Sequence, residues 1–234
     1  MVATVVADPA ESCARKLERR ERPVALAFGF AMFGTFILVP TLLQLPTVLG
    51  YGFGKSVSDS GLYLLPTVVA MVIAGVVAGV VIRKAGPKIP MVIGGVAVAV
   101  AFLIPALGHS EEWQIIVSGI LTGLGIGMAL AAISNAIVES VPTAQTGEAI
   151  SANTVVRTVG SSIGTAVIAA IVSSNVTPQG APTDDAFTIG FWVSAGVGAL
   201  AIIAALAAPS LRARRREAAE AGVDDFDELE HSTK

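Results

Sequence analysis

Trp113–Asn135 reads WQIIVSGILTGLGIGMALAAISN, a stretch without a single charged side chain. A helix rises about 1.5 Å per residue, so roughly 20 apolar residues cross a hydrocarbon core roughly 30 Å thick. This stretch is long enough. Its Val and Ile content would suit a strand, but strands of that length need turn signals inside the run. Five further runs have the same character: Pro23–Gln44, Gly61–Ile82, Pro90–Gly108, Ala149–Ser173 and Phe187–Ala208. No acidic residue falls well inside any of them, and Arg157 is the only basic residue that does.

The composition agrees with the runs. The chain is 53% hydrophobic and 14% charged, against roughly 25% charged in soluble domains. The expected fold is therefore an all-α integral membrane protein, a bundle of six transmembrane helices. Three regions follow: a cytoplasmic N-terminal segment 1–22, a transmembrane domain 23–208 and a charged cytoplasmic tail 209–234 that is expected to be disordered. The tail turns from basic to acidic, which suits a solvated segment; docking of a partner is the alternative. The net charge of −3 says little, because charge collects at the two ends. Cys13 is the only cysteine, so no disulfide within the chain and no thiolate cluster is possible.

Loop charges orient the bundle, since Lys and Arg favour the cytoplasmic side. Arg15, Lys16, Arg19, Arg20 and Arg22 precede the first span, and Arg83, Lys84 and Lys88 follow the second. Arg212, Arg214, Arg215 and Arg216 follow the last, whereas the three loops of the opposite side carry only Lys55. Both termini are expected in the cytoplasm of a multi-pass protein of the cell membrane. Tyr51, Tyr63, Trp113 and Trp192 fall near the outer span ends, where aromatic rings favour the headgroup layer. The segment Met1–Ala10 lacks the basic start and apolar core of a cleavable signal.

Glycines four apart let helices approach closely in lipid. Gly75 with Gly79, Gly119 with Gly123, Gly123 with Gly127, and Gly160 with Gly164 have that spacing and are expected to pack helices. Gly123, Gly125 and Gly127 look superficially like a dinucleotide loop, but they sit in an apolar span with no preceding strand. Pro40, Pro66 and Pro105 lie within spans and can kink them.

The loop after the second span reads Gly79-Val-Val-Ile-Arg83-Lys84-Ala-Gly86-Pro-Lys88. It resembles the cytoplasmic loop motif of the major facilitator superfamily, Gly-x-x-x-Asp-Arg/Lys-x-Gly-Arg-Arg/Lys, which stands at the same place in a six-helix half. Gly79, Lys84, Gly86 and Lys88 match, Arg83 replaces the acid and Pro87 replaces a basic residue. Two more stretches resemble the fourteen-helix drug:proton antiporters of that superfamily. One is Leu38-Val-Pro-Thr-Leu-Leu-Gln44 followed by Gly50–Gly54 and Gly61–Pro66. The other is Gly123-Leu-Gly-Ile-Gly127 followed by Gly147–Asn153 and Arg157–Gly164. The resemblance implies half of a facilitator fold, two three-helix repeats of inverted topology. It also implies the C-terminal half of a proton-coupled exporter of drugs or other small lipophilic molecules. Its partners would be the lipid bilayer, a small-molecule substrate, and an N-terminal transporter half or a second copy.

The fifth span carries the candidate chemistry. Asn153, Thr154, Arg157, Thr158, Ser161, Ser162 and Thr165 fall on one half of its circumference at 100° per residue. In a transporter such a face lines the substrate path; otherwise it is a helix contact whose hydroxyls bond back to their own helix. Asn153, Thr154, Arg157, Ser161 and, at the other end of the bundle, Gln44 are the substrate-path candidates. Arg157 lies roughly 10 Å inside the span, where it either snorkels or binds an anionic group. No span holds an interior carboxylate or histidine, and in the antiporters that the chain resembles the coupling acids lie mainly in the N-terminal half. No metal-ligand spacing, catalytic constellation, cofactor motif or nucleic-acid partner is legible, so an enzyme is not expected. Two classes remain open: a transporter half, and a non-transporting scaffold or assembly subunit such as the product of a truncated gene. Cysteines placed at Gly52 or Gln179 should react with an impermeant thiol reagent added outside, and one at Ala85 should not. The reverse labelling would contradict the topology.

Overall fold

The computed structural model describes residues 9–109, 111–138, 146–178 and 180–207, with side chains described from Pro23 to Leu206. The charged tail 209–234 and the whole α4–α5 connection, 139–145, lie outside these residues.

The helix ends follow from local chemistry. Helix α1 covers Pro9–Gln44, so it begins ahead of the expected span and takes in the Lys-, Arg- and Glu-rich stretch, residues that favour helix. A short 3-10 turn at Thr47–Leu49 leads to Gly50, whose φ of 85° suits glycine. Helix α2, Val57–Ala85, starts on a capping box: Asp59 N–H donates to the Ser56 hydroxyl while the Asp59 carboxylate accepts from Ser56 N–H. It ends at Gly86, with φ 81°, and Pro87 opens helix α3, Lys88–Leu107. That two-residue turn explains the departure at Pro87: the position needs a fixed φ, −71° here, to start a helix. Helices α4, Glu112–Val138, α5, Thr146–Ser174, and α6, Asp184–Ala207, complete the bundle. Each of the six is long and apolar enough to cross a membrane, and the described residues hold no β-strand beyond one isolated bridge, Val176 to Pro182.

Helices α1, α3, α4 and α6 form the centre, with α2 laid against α4 and α5 laid against α1. Exchanging α1 with α4, α2 with α5 and α3 with α6 maps the α2–α4 contact onto α5–α1, and the α3–α4 contact onto α6–α1. The α3–α6 contact maps onto itself. Partners three helices apart run in opposite directions, so the two halves of the chain are inverted repeats. Phe28, Leu38, Leu42, Phe102, Ile133, Phe187 and Phe191 fill the centre.

Glycine sets the helix spacing. A Cβ at Gly123 would strike the Thr67 carbonyl oxygen, one at Gly127 the Met71 carbonyl, and one at Gly160 the Leu26 carbonyl. A Cβ at Gly164 would stand 2.9 Å from Phe30 Cα, and one at Gly119 would press on the Thr67 hydroxyl. Between α3 and α4, a Cβ at Gly94 would stand 2.6 Å from the Gly125 carbonyl oxygen. Gly75 and Gly79 differ from expectation. Nothing lies within 4 Å of a Cβ at either. Gly75 packs no helix among the described residues.

The outer pair is the least covered. The α2 and α5 spans are 28% and 22% buried, against 61% for α1 and 56% for α3 and α4. Gly123→Ala should therefore lower the melting temperature in detergent, by roughly 1–3 kcal/mol of overpacking. Gly75→Ala should leave stability unchanged or raise it by up to about 1 kcal/mol through helix propensity. Equal destabilisation by both would contradict this packing.

Candidate functional site

Helix α5 holds its polar residues in two columns. Asn153, Gly160, Ser161, Gly164 and Ile168 are its buried positions. Gly160 and Gly164 seat against Leu26 and Phe30 of α1, and Ser161 Oγ lies 3.3 Å from the Gly29 carbonyl and 3.0 Å from that of Arg157. Ser161, with Gly160 and Gly164, thus belongs to the α1 contact, and Asn153 is buried. Beside it, Thr154, Thr158 and Ser162 are exposed, and each hydroxyl donates to the carbonyl four residues back: Ile150, Thr154 and Thr158.

The face therefore divides into a packed part and an open part. Asn153 and Ser161 are packed between helices. Thr154, Thr158 and Ser162 bond back to their own helix, yet they remain open to whatever faces α5. A hydroxyl that has donated its proton still offers lone pairs, so this column presents acceptors. Arg157 sits between the columns, half-buried, and its guanidinium has no hydrogen-bond or ion-pair partner among the described residues. It supplies the donors that the hydroxyl column lacks. The combination can hold a polar or anionic group while accepting bonds from a neighbour.

Other expected residues stand elsewhere. Gln44 is exposed at the end of α1, ~22 Å along that helix from Gly29, which touches α5 beside Arg157. It does not join the α5 group. In the loop motif, Arg83 and Lys84 are exposed in the last turn of α2. Lys88 Nζ donates to the Leu206 carbonyl at 2.8 Å, capping the last turn of α6, where a cation also suits the helix dipole. A groove of about 470 Å³ is lined by carbon from α1, α5 and α6, including Leu26, Phe30, Ile163, Leu200 and Ile203. Neither Arg157 nor Thr158 borders it.

The opposite end of the bundle carries polar contacts that span counting does not reveal. Lys55 Nζ lies 2.7 Å from Glu112 Oε1 and 5.6 Å from the centre of the Tyr63 ring, and the Tyr63 hydroxyl also donates to Glu112. The hydrogen bonds to Glu112 and then Tyr63 raise the Lys55 pKa. Any stabilisation from Lys55 is therefore full below the ordinary lysine range and is lost only as pH rises beyond it. The Tyr51 hydroxyl donates to the Pro182 carbonyl, tying the α1–α2 connection to the α5–α6 connection. Burial, then the charge of Asp184, raises its pKa. His109, outside the expected spans, is buried against Phe191 and contacts Asp184.

Known proteins are similar to this chain in sequence. The family model of the Major Facilitator Superfamily matches residues 24–230. An uncharacterized MFS-type transporter of Mycobacterium tuberculosis is 34% identical over 145 residues, 59% of this chain and 20% of that protein. The multidrug transporter protein MdtP of Bacillus subtilis is 24% identical over 142 residues, 59% of this chain and 25% of its own length. A tetracycline resistance determinant of Streptomyces rimosus is 26% identical over 142 residues, 59% of this chain and 39% of its own length. The chain thus spans between a fifth and two fifths of these relatives. With six apolar helices in two inverted repeats and a family match over nearly its whole length, the chain belongs to the Major Facilitator Superfamily.

Proposed function

We propose that this chain is one six-helix unit of an exporter of drugs or other small lipophilic molecules, with the α5 face forming part of one wall of its path. The supporting observation is the exposed column of Thr154, Thr158 and Ser162 beside Arg157, whose guanidinium has no partner among the described residues, on the least buried span of the bundle. A charge deep in the bilayer costs roughly 2.5–3.5 kcal/mol on insertion scales. Water or a facing protein group lowers that cost, and either would be present in a path. The relatives named for multidrug and tetracycline resistance suggest the substrate class. The distribution of Lys and Arg supports both termini in the cytoplasm of a cell-membrane protein.

The second wall comes from another six-helix unit, an N-terminal half or a second copy. Rocking of two such units about a site between them exposes it to each side in turn. The exposed α2 face, with Leu65, Val69, Val72 and Val76, is apolar, so α5 is the side of this unit that offers hydrogen bonding to substrate. Proton coupling would be completed from the other unit. In this reading Arg157 pairs across the cleft with a carboxylate or with an anionic group of the cargo.

Two measurements test this. The chain alone, reconstituted in liposomes under an imposed proton gradient, should move no more of a lipophilic cation than empty liposomes do. Gradient-driven movement abolished by a protonophore would show that one unit suffices. In cells that carry the assembled transporter, Arg157→Ala should lower export about tenfold or more at unchanged abundance. That corresponds to roughly 1.4 kcal/mol in the barrier. Arg157→Lys should restore only part, since it keeps the charge but not the planar fork. Normal export by Arg157→Ala would assign the side chain to snorkelling.

A further inference from the structure

We infer that His109 and Asp184 form a proton-binding site that latches the end of α3 to the start of α6. His109 follows directly on α3 and is 7% exposed, with its ring centroid 5.8 Å from that of Phe191. Its Nδ1 lies 2.9 Å from the Pro105 carbonyl oxygen, and its Nε2 lies 2.7 Å from Asp184 Oδ1. The Asp184 side chain is 53% exposed, so protons reach the pair from water.

Hydrogen-bond directions decide the proton count. A carbonyl oxygen only accepts, so Nδ1 carries hydrogen. An ionised carboxylate also only accepts, so Nε2 must carry hydrogen too. A neutral imidazole has one N–H for these two acceptors. The arrangement therefore holds one proton more than a neutral histidine and an ionised aspartate together. That proton lies between the ring and the Asp184 carboxylate, in the first turn of α6. When the proton leaves, the ring keeps either the Pro105 contact or the Asp184 contact. Its lone pair then faces the acceptor it has lost, inside a buried setting where an unmet polar group is costly.

Acidic groups surround the pair. Asp185 follows Asp184 on α6, and Glu111 and Glu112 follow His109 towards α4. From the α1–α2 connection, Tyr51 lies in the field of Asp184 and bonds Pro182. Lys55 is the one described cation at this end, and Glu112 occupies it at 2.7 Å. The site is thus acidic in balance.

The pair is also placed to matter mechanically. Helices α3 and α6 are joined at their far end by Lys88 and the Leu206 carbonyl, 2.8 Å apart. Along their length they are joined by Gly198 on Ala99 and by Gly95 on Ile202. These contacts involve no titration near neutral pH. The His109–Asp184 contact does, since histidine is the side chain that ordinarily changes charge between about pH 5 and 8. Proton loss would weaken the hold of the α3 end on the start of α6, with the Tyr51–Pro182 contact left in place. Which side of the membrane supplies the proton rests on the proposed topology; the latch itself does not.

The chain has two histidines, so His231→Gln leaves His109 as the only imidazole to observe. Nitrogen-15 spectra of histidine-labelled protein in lipid nanodiscs should show both ring nitrogens protonated at about pH 6. Asp184→Asn is the discriminating variant, because its amide N–H can donate to a neutral Nε2 and keep the contact without the extra proton. With Asp184 in place the ring should stay doubly protonated to a higher pH than it does in the Asp184→Asn variant. The latched state binds the extra proton, so its stabilisation is full at low pH and is lost as pH rises. Melting temperature should therefore fall between about pH 6 and pH 8.5 in the His231→Gln protein and fall less in the double variant. A ring that carries hydrogen on Nδ1 alone throughout this range, or identical pH profiles with and without Asp184→Asn, would overturn the assignment. Either result would leave the transport proposal standing, since neither measurement reads transport.

Discussion

Apolar helices in lipid gain little from merely touching, because the acyl chains around them are as apolar as their own side chains. Association depends on close packing and on polar contacts between helices. Here the close packing is supplied by glycines that meet the backbone of a neighbour: Gly123 and Gly127 on α2, Gly160 and Gly164 on α1, and Gly94 on Gly125. These contacts fix which face of each helix turns inwards. They hold α2 to α4 and α5 to α1 along one narrow stripe each, leaving the rest of both helices open. The polar column of α5 is exposed for that reason. Ser161 and Gly160 take the α1 side, so Thr158 and Ser162 must turn away from it.

Polar contacts do different work at the two ends of the bundle. At one end Lys88 meets the carbonyl end of α6 and the Gly86–Pro87 turn joins α2 to α3 with very few residues. This end changes shape little without breaking helix ends. At the other end, side chains connect elements far apart in sequence: Lys55 and Tyr63 with Glu112, Tyr51 with Pro182, and His109 with Asp184. Such contacts can be made and broken by protonation or by small shifts of a connection, with the helices themselves intact.

The membrane spans are legible in the sequence because the bilayer fixes a minimum apolar length, and six helices long and apolar enough to cross it stand where the six runs do. Their pairing is not legible. Four-residue glycine spacing marks a helix that can be approached, without saying from which side. Gly75 and Gly79 share that spacing with Gly123 and Gly127, yet face open space. The polar half of α5 is visible, but its division is not, because hydrophobic periodicity cannot tell a hydroxyl that meets a neighbouring carbonyl from one that bonds back. His109 escapes notice because span counting assigns a residue beyond the apolar run to a loop. The helix end, the Pro105 carbonyl and the start of α6 nevertheless enclose it. The inverted repeat is a relation among helix contacts and leaves no trace in residue identities.

The central claim is that the exposed column of α5 faces water or cargo in the assembled protein, while the nearby groove of α1, α5 and α6 faces lipid. Nitroxide labels at Thr158 and Ser162, compared with labels at Leu200 and Ile203, test it most directly in membranes that carry the assembled transporter. The account predicts that the first two collide more with a water-soluble paramagnetic reagent than with oxygen, and that the other two show the opposite preference. Oxygen-dominated relaxation at Thr158 and Ser162, matching that at Leu200, would contradict it.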